Sequence, residues 1–304
     1  MKKFWHACLL IVVASIISGC ATYDMIKPAP MQTQPIKVVY TAEGPSGWTD
    51  LPLGVYRMPD SQVIVAGYNR RNALLADILF GPVGLLAVDA ADTQSAKNAV
   101  KGAGTGLRVR LTDQAQTISN TIVDSGQFGK AFSTTAASEG LVLSVAPYLV
   151  INYVSDTEVR PFVILKASLR GPGNKAMWTS RYIVSVDRAH PLEGDQSYTA
   201  GDGALLKAAI SKDLELGIKS MLTDVASPHI REDGKLIYAE TTVPFLKAPI
   251  GVVGYEISED DQSVVMAPKV ADALVFAGVH VLDKSVTTYR AATSDDKLKI
   301  LDTK

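Results

Sequence analysis

Alternating hydrophobicity in the middle of the chain constrains the fold more than any other feature of the sequence. Apolar side chains recur on one face of Leu141–Tyr153, and a similar alternation returns in Val159–Leu169 and Ala176–Asp187. Ser155-Asp156-Thr157-Glu158 and Gly171-Pro172-Gly173-Asn174 supply turns between these segments. Period-two alternation is typical of strands with one buried face, so we expect a half-buried antiparallel meander of three strands.

Two segments with helical periodicity flank these strands. In Leu107–Asp124 and in Gly203–Ala226, apolar residues recur every three or four positions, and Pro228 ends the second segment. The apolar stripes consist of Leu111, Ala115, Ile118 and Ile122 in the first segment and of Leu206, Ile210, Leu214, Ile218, Met221 and Val225 in the second. We therefore predict an α+β fold in which an antiparallel meander sheet packs against two amphipathic helices.

Shorter apolar runs predict additional strands at both ends of the chain. They are Ile36–Tyr40, Leu51–Tyr56 and Gln62–Ala66 on the N-terminal side, and Leu236–Thr242, Ile250–Ile257, Val264–Met266, Val279–Leu282 and Ser285–Tyr289 on the C-terminal side. Pro268 is placed to start a helix that runs to Ala277. The charged stretch from Ser294 onwards predicts a frayed end.

The first twenty residues carry a targeting signal. Lys2 and Lys3 precede an apolar run, Leu9–Ile17, that is short for a transmembrane helix, and small residues then precede Cys20. The end of this stretch, Ile17-Ser18-Gly19-Cys20, resembles the lipobox of bacterial lipoproteins. An ordinary signal peptide or an uncleaved N-terminal anchor is the alternative interpretation.

The resemblance to a lipobox implies a location for the protein. In lipoproteins of this class the chain is cut before the cysteine, so residues 1–19 would be a signal peptide, and the thiol and new amino group of Cys20 would be acylated, with palmitate as an expected acyl group. Two or three acyl chains give a stable membrane anchor. Ala21 follows the cysteine in place of the aspartate that favours the inner membrane, so the resemblance implies a periplasm-facing lipoprotein of the bacterial outer membrane.

Charge and cysteine content limit the partners and the chemistry that we expect. Loss of Lys2 and Lys3 leaves 28 of the 30 basic residues against 31 acidic ones, a net charge near −3. This balance lacks the clustered basic face that nucleic-acid binding or a polybasic membrane contact needs. Cys8 leaves with the signal peptide and the lipid blocks Cys20, so we expect no disulfide and no cysteine-ligated metal. No cofactor and no nucleic-acid partner is predicted.

Composition also divides the chain into segments. We predict that the lipidated Cys20 is followed by a flexible tether up to residue 35, because this stretch contains prolines such as Pro28 and Pro30. The predicted segments are the signal peptide at 1–19, the tether at 20–35, N-terminal strands with an apolar and glycine-rich segment at 36–106, a central α-β-β-β-α module at 107–230 and a small α/β segment at 231–304.

The most apolar stretch after the signal peptide is Asn72–Ala90, and it allows two interpretations. Gly81-Pro82 interrupts it, and Asp77 and Asp89 prevent an uninterrupted transmembrane helix. It is either a buried part of the core or an exposed surface that contacts the membrane or a protein partner. The candidate contact residues are Leu79, Phe80, Val83, Leu85 and Leu86.

No pattern of residues predicts catalysis. His190, His229 and His280 lack metal-ligand spacing, and we expect the first two to be exposed and the third to be a core residue. Ser294–Lys297 matches an S-x-x-K motif without its companion motifs. Glycosidic hydrolysis would need two carboxylates across a cleft, and Glu259-Asp260 is only an acidic turn. We therefore predict no catalytic residue, no metal site and a protein that is not an enzyme.

These observations favour one function and keep two alternatives. The favoured function is a structural or accessory binding component of an envelope assembly or transport system, anchored to the outer membrane and bound to protein partners in the envelope. The architecture is loosely similar to periplasmic lipoproteins that assist transporters or secretion. The alternatives are a self-assembling ring or export-channel lipoprotein, whose partners are copies of itself, and a cell-wall or glycan hydrolase.

Overall fold

In the part of the chain that the structure describes, one large, mostly antiparallel sheet and two helices make up a mixed α/β fold. The computed structural model describes residues 24–42, 55–57, 62–66, 110–134, 140–185, 188–198, 200–272 and 274–301. Within these ranges, no helix is both long and apolar enough to cross a membrane.

The described residues contribute fourteen strands to the sheet. They are β1 (Ile36–Tyr40), β2 (Val55–Arg57), β3 (Val63–Ala66), β4 (Phe132–Ser133), β5 (Leu141–Tyr153), β6 (Glu158–Arg170), β7 (Ala176–Ser185), β8 (His190–Pro191), β9 (Leu236–Thr241), β10 (Ile250–Glu259), β11 (Ser263–Pro268), β12 (Val279–Asp283), β13 (Thr288–Ala291) and β14 (Lys299–Ile300). The helices are α1, which is described over 110–124, and α2 (Ala200–Ala226). Short 3₁₀ helices are η1 (Asp24–Ile26), η2 (Pro172–Asn174) and η3 (Arg231–Asp233).

The strands follow the order β13-β9-β10-β11-β12-β7-β6-β5-β1-β4, with β2, β3, β8 and β14 paired off this path. Nine of the thirteen strand pairings among the described residues are antiparallel. The parallel pairings join β1 to β4 and β5, β3 to β5, and β12 to β7. Parallel neighbours need a crossover connection, so the sheet depends on contacts between distant parts of the chain.

The three central strands lie where their alternation predicts them. β5 has the predicted bounds, and β6 and β7 differ from theirs by one or two residues at an end. β5 pairs with β6 and β6 with β7, both antiparallel. The first residues of β5 alternate between buried and half-buried, whereas Val145–Tyr153 is buried throughout. Its second half is therefore covered on both faces.

The helices cover one face of the sheet. α2 packs on β6 and β7, and all six residues of its predicted stripe are buried. Gly217 allows this close contact, since an added Cβ would lie 2.6 Å from Val184 Cγ2 and 3.3 Å from Leu165 Cδ1. In α1, Leu111 and Ala115 are buried in the same core cluster, and Ile118 and Ile122 pack against it.

The opposite face of the sheet forms a second core cluster with the C-terminal strands. Tyr148, Phe162 and Ile183 of the central strands share this cluster with Met266 of β11 and Leu282 of β12. β7 and β12 pair in parallel, so the predicted central and C-terminal segments contribute to a single sheet.

Two C-terminal predictions are wrong. The described residues from Pro268 to Ala277 form the end of β11 and turns instead of a helix, because Val270, Phe276 and Ala277 fill the second core cluster. The described residues beyond Ser294, as far as Leu301, pack on the sheet: Asp296 accepts two hydrogen bonds of 2.7 Å from Arg290, and β14 pairs with β10. In both segments, tertiary contacts determine the structure, and the local sequence pattern does not.

Candidate functional site

The residues predicted to carry function lie outside the described part of the chain. These are Cys20, the predicted lipidation site, and Leu79, Phe80, Val83, Leu85 and Leu86, the predicted contact residues. The candidate site below therefore consists of other residues, which the fold brings together from distant positions.

A cavity of about 290 Å³ lies next to the first described residues. Its described lining comes from four parts of the chain: residues 26–28, the 3₁₀ helix η3, strand β10 and the residue that follows β11. The lining residues are Ile26, Lys27, Pro28, Arg231, Glu232, Tyr255 and Lys269. This volume is at the lower end of the range for ligand pockets, so the cavity suits a small ligand or the end of a larger one.

One wall of the cavity belongs to residues 24–30, which we call the N-terminal segment. Ile26 and Ala29 are buried, and three successive backbone carbonyls accept hydrogen bonds from side chains of the folded body. The bonds run from Ser180 Oγ to the Met25 carbonyl at 2.6 Å, from Arg231 Nε to that of Ile26 at 3.0 Å and from Trp178 Nε1 to that of Lys27 at 2.9 Å.

This packing corrects the prediction of a flexible tether for the described residues 24–30. The prolines remove backbone donors, but they leave every carbonyl available as an acceptor. Trp178, Ser180 and Arg231 are buried donors that need acceptors, and the N-terminal segment supplies them.

Arg231 fixes this wall through a buried network of hydrogen bonds. Its Nη1 and Nη2 atoms donate to the two carboxylate oxygens of Asp224 at 2.6 and 2.7 Å. Tyr182 Oη donates to the same carboxylate at 2.6 Å. Burial first, and then the Asp224 carboxylate, raise the pKa of Tyr182 well above its usual value, so the phenol keeps the proton that it donates. A bidentate pair of this kind has the geometry that a buried ion pair needs.

The lining of the cavity has an excess of positive charge. Lys27 and Lys269 are exposed, and Glu232 is the one acidic residue among the described residues that line it. Arg231 is paired with Asp224, so the two lysines are the cationic residues on the exposed part of the described lining. Lys269 Nζ also lies 5.5 Å from the centroid of the Tyr255 ring, which favours an ammonium at this position. Chemically, the cavity offers cationic donors beside an apolar surface.

No local pattern predicts this site, because residues 26–28 lie more than 200 positions before the other lining residues and the set has no periodicity. Arg231, for instance, donates to a carbonyl 205 residues away. The sequence does carry one signal. Trp178 lies in the alternating segment Ala176–Asp187, and an indole N–H that is buried in a strand needs an acceptor. The acceptor is the carbonyl of Lys27, 151 residues earlier.

The histidines do not form a site. His280 is a core residue, as predicted, and its Nε2 donates to the Phe276 carbonyl at 2.8 Å. His229 is exposed, as predicted, whereas His190 is half-buried with its ring centroid 4.9 Å from that of Tyr198. Within the described residues, no group of three or more His, Cys, Asp or Glu is placed to hold a metal ion.

The acidic turn at the end of β10 links strands. Glu259 accepts hydrogen bonds of 2.6 Å from both Lys284 Nζ and Tyr289 Oη. The bond from Lys284 is the main cause that lowers the pKa of this carboxyl below its usual value. Asp260 Oδ1 accepts from the backbone N–H of Gln262 and of Ser263, at 2.9 and 2.7 Å, and so closes the turn.

Comparison with known proteins gives no assignment. No protein-family model, no curated protein and no solved structure matches this chain. The function is therefore argued from the residues and their geometry.

Proposed function

We propose that the protein is a lipoprotein of the bacterial outer membrane, anchored through Cys20 and facing the periplasm. It acts there as a structural or accessory binding component of an envelope assembly or transport system and catalyses no reaction. The membrane is its first partner, through the lipid, and proteins of the envelope are further partners. The lipobox-like sequence Ile17-Ser18-Gly19-Cys20 supports the anchor, and the cationic cavity supports a binding role.

The observation that carries this proposal is how soon the folded body follows Cys20. Asp24 begins η1, and Ile26 is already buried in the body. Four residues of chain reach at most about 14 Å. An acylated Cys20 would therefore hold the body, and the cavity beside the N-terminal segment, close to the bilayer surface. A binding component that works at the membrane needs this arrangement.

We also propose a more detailed description of the mixed α/β fold. The central strands β5, β6 and β7 form an antiparallel meander, which packs against two amphipathic helices. The consecutive antiparallel pairings of these strands support the meander. The burial of the α2 stripe, beside exposed Lys207, Lys212 and Glu215 on the same helix, supports the amphipathic character.

Replacement of Cys20 tests the anchor. Cells that express the protein are grown with an alkyne analogue of palmitate and then fractionated. We expect the wild type to carry the label and to sediment with the outer membrane, and Cys20→Ser to lose the label and accumulate as uncleaved precursor. Cys8→Ser is the matched control, since this residue precedes the cleavage site and should change neither result. A wild-type protein without label in the soluble periplasmic fraction would refute the proposal.

A ring or export channel would be favoured by an apolar sheet face that only another copy of the chain could cover. In the structure, one face is covered by the helices and the other by residues of the C-terminal strands and loops. The native mass of the lipidated protein in mild detergent distinguishes the readings. A monomer with a stoichiometric foreign band supports an accessory role, and a large homogeneous assembly supports the ring.

A further inference from the structure

We propose that the cavity beside the N-terminal segment binds a phosphate group, carried either by a phospholipid headgroup or by a soluble phosphate ester. This inference deepens the proposed binding role, and its lipid form rests on the proposed anchor at Cys20.

Arg231 provides donors with a fixed orientation. Its guanidinium has five N–H groups, of which three donate to Asp224 and to the Ile26 carbonyl. The other two have no acceptor among the described residues, and Arg231 lines the cavity while being only 5% exposed. Because Asp224 and Ile26 already hold the side chain, a ligand that accepts from it orders no further rotamer.

Two lysines add charge from different walls. Lys27 belongs to the N-terminal segment, and Lys269 follows β11 and lies over the ring of Tyr255. A phosphate presents three strong acceptor oxygens, so it can accept from donors on several walls at once, whereas a carboxylate presents two. Ile26, Pro28 and the Tyr255 ring supply apolar surface for the carbon part of an ester. A phosphate ester therefore fits the lining better than a simple carboxylate does.

The distance from Cys20 makes a headgroup a realistic source of the phosphate. With the reach of about 14 Å from Cys20 to Asp24, an acylated protein places this wall of the cavity near the plane of the lipid phosphates. The lipid phosphate would enter a site whose net charge opposes its own. A soluble phosphate ester would use the same donors without requiring the membrane.

Protection of lysines from acetylation measures occupancy directly. The lipidated mature protein is kept in a phosphate-free maltoside detergent and acetylated briefly, and each lysine is quantified by mass spectrometry. The probes are glycerol 3-phosphate and, in mixed micelles, phosphatidylglycerol, each compared with sodium chloride at equal ionic strength. We expect the acetylation of Lys27 and Lys269 to slow about tenfold at saturation, the scale of one charge-assisted hydrogen bond. Exposed Lys247, outside the described lining, serves as the internal control and should not change.

The two probes separate the two sources. Protection by glycerol 3-phosphate assigns a soluble ester, and protection by phosphatidylglycerol alone assigns a headgroup. Protection by neither, or equal protection by sodium chloride, overturns the inference. The palmitate label on the same preparation reports separately on the anchor, so failure of the cavity and failure of the proposed location can be told apart.

Surface variants provide a second test that does not disturb the buried network. Lys269→Gln should weaken binding of the protecting probe about tenfold, and Lys247→Gln should leave it unchanged. Glu232→Gln should tighten binding, because it removes the one acidic side chain of the described lining. Wild-type affinity in both Lys269→Gln and Glu232→Gln would show that the probe binds elsewhere.

Discussion

At the scale of single residues, the buried Arg231–Asp224 pair is the group on which the candidate site depends most. Asp224 lies in the last turn of α2, where the helix dipole disfavours a carboxylate. Arg231 compensates for this with two charge-assisted bonds, and its Nε reaches the N-terminal segment. The same side chain therefore neutralises a helix end and fixes one wall of the cavity.

Loss of the Asp224 charge should destabilise the fold strongly. Asp224→Asn leaves the Arg231 guanidinium buried without its counter-charge, so we expect the free energy of unfolding to fall by about 3 kcal/mol. Urea unfolding followed by tryptophan fluorescence measures the loss. Lys235→Gln, which breaks the exposed pair with Glu256, should change stability little. Equal effects of the two variants would show that the buried pair is not a major source of stability.

His280 should make stability depend on pH. Burial lowers its pKa from 6.5 to about 4, so between these values the unfolded chain takes up a proton that the folded chain does not. The free energy of unfolding is therefore unaffected above pH 6.5 and falls as pH decreases to 4, by about 3 kcal/mol in all. Urea unfolding across this range should show a shallower slope for His280→Gln, which retains a donor for the Phe276 carbonyl. The exposed His229→Gln should keep the wild-type slope, and an unchanged slope in His280→Gln would contradict the assignment.

At the scale of secondary-structure elements, the spacing of apolar residues in the sequence was enough to locate the longest strands and the longest helix. β5 has the bounds that its alternation predicts, and α2 begins only three residues before the predicted Gly203. The predicted helix from Pro268 failed because its apolar residues fill a core instead of one helical face. In a long periodic segment, many apolar residues lie on one face, so the pattern determines the secondary structure. In a short segment, packing against neighbouring elements determines it instead.

Gly217 of α2 should resist substitution although it lies in a helix. Alanine would gain up to about 1 kcal/mol of helix propensity, but its Cβ would lie 2.6 Å from Val184 Cγ2, and overpacking costs about 1–3 kcal/mol. We therefore expect Gly217→Ala to lower the free energy of unfolding by about 1 kcal/mol. Adding Val184→Ala removes the clashing methyl, so the double variant should be more stable than the two separate losses predict. Thr223→Ala, on the exposed side of α2, is the control and should be nearly neutral.

At the scale of the whole molecule, the sheet joins parts of the chain that the sequence divides into segments. β12, from the predicted segment 231–304, pairs in parallel with β7 of the predicted module 107–230. The second core cluster also draws residues from both. Each part therefore buries apolar surface that the other would leave exposed.

A chain that ends after residue 230 should not fold. It lacks Met266, Phe276 and Leu282, which cover Tyr148 and Phe162 on the second face of the sheet. We expect this truncated chain to be insoluble or to bind a hydrophobic dye such as ANS without cooperative unfolding. Circular dichroism and thermal unfolding against the full chain measure the difference. A soluble truncated chain with a cooperative transition would instead show that the chain up to residue 230 folds without the C-terminal strands.

The sequence by itself determined the long central strands and the stripe of α2, because burial of one face imposes a period that the residues repeat. It also supplies the lipobox-like stretch that ends at Cys20, since such a signal is read from a contiguous segment. Only the tertiary structure decided that β7 pairs with β12, that residues 24–30 pack on the body and that Lys27, Arg231 and Lys269 line one cavity. These contacts join residues far apart in the chain, and no local pattern encodes which distant donor will meet which acceptor.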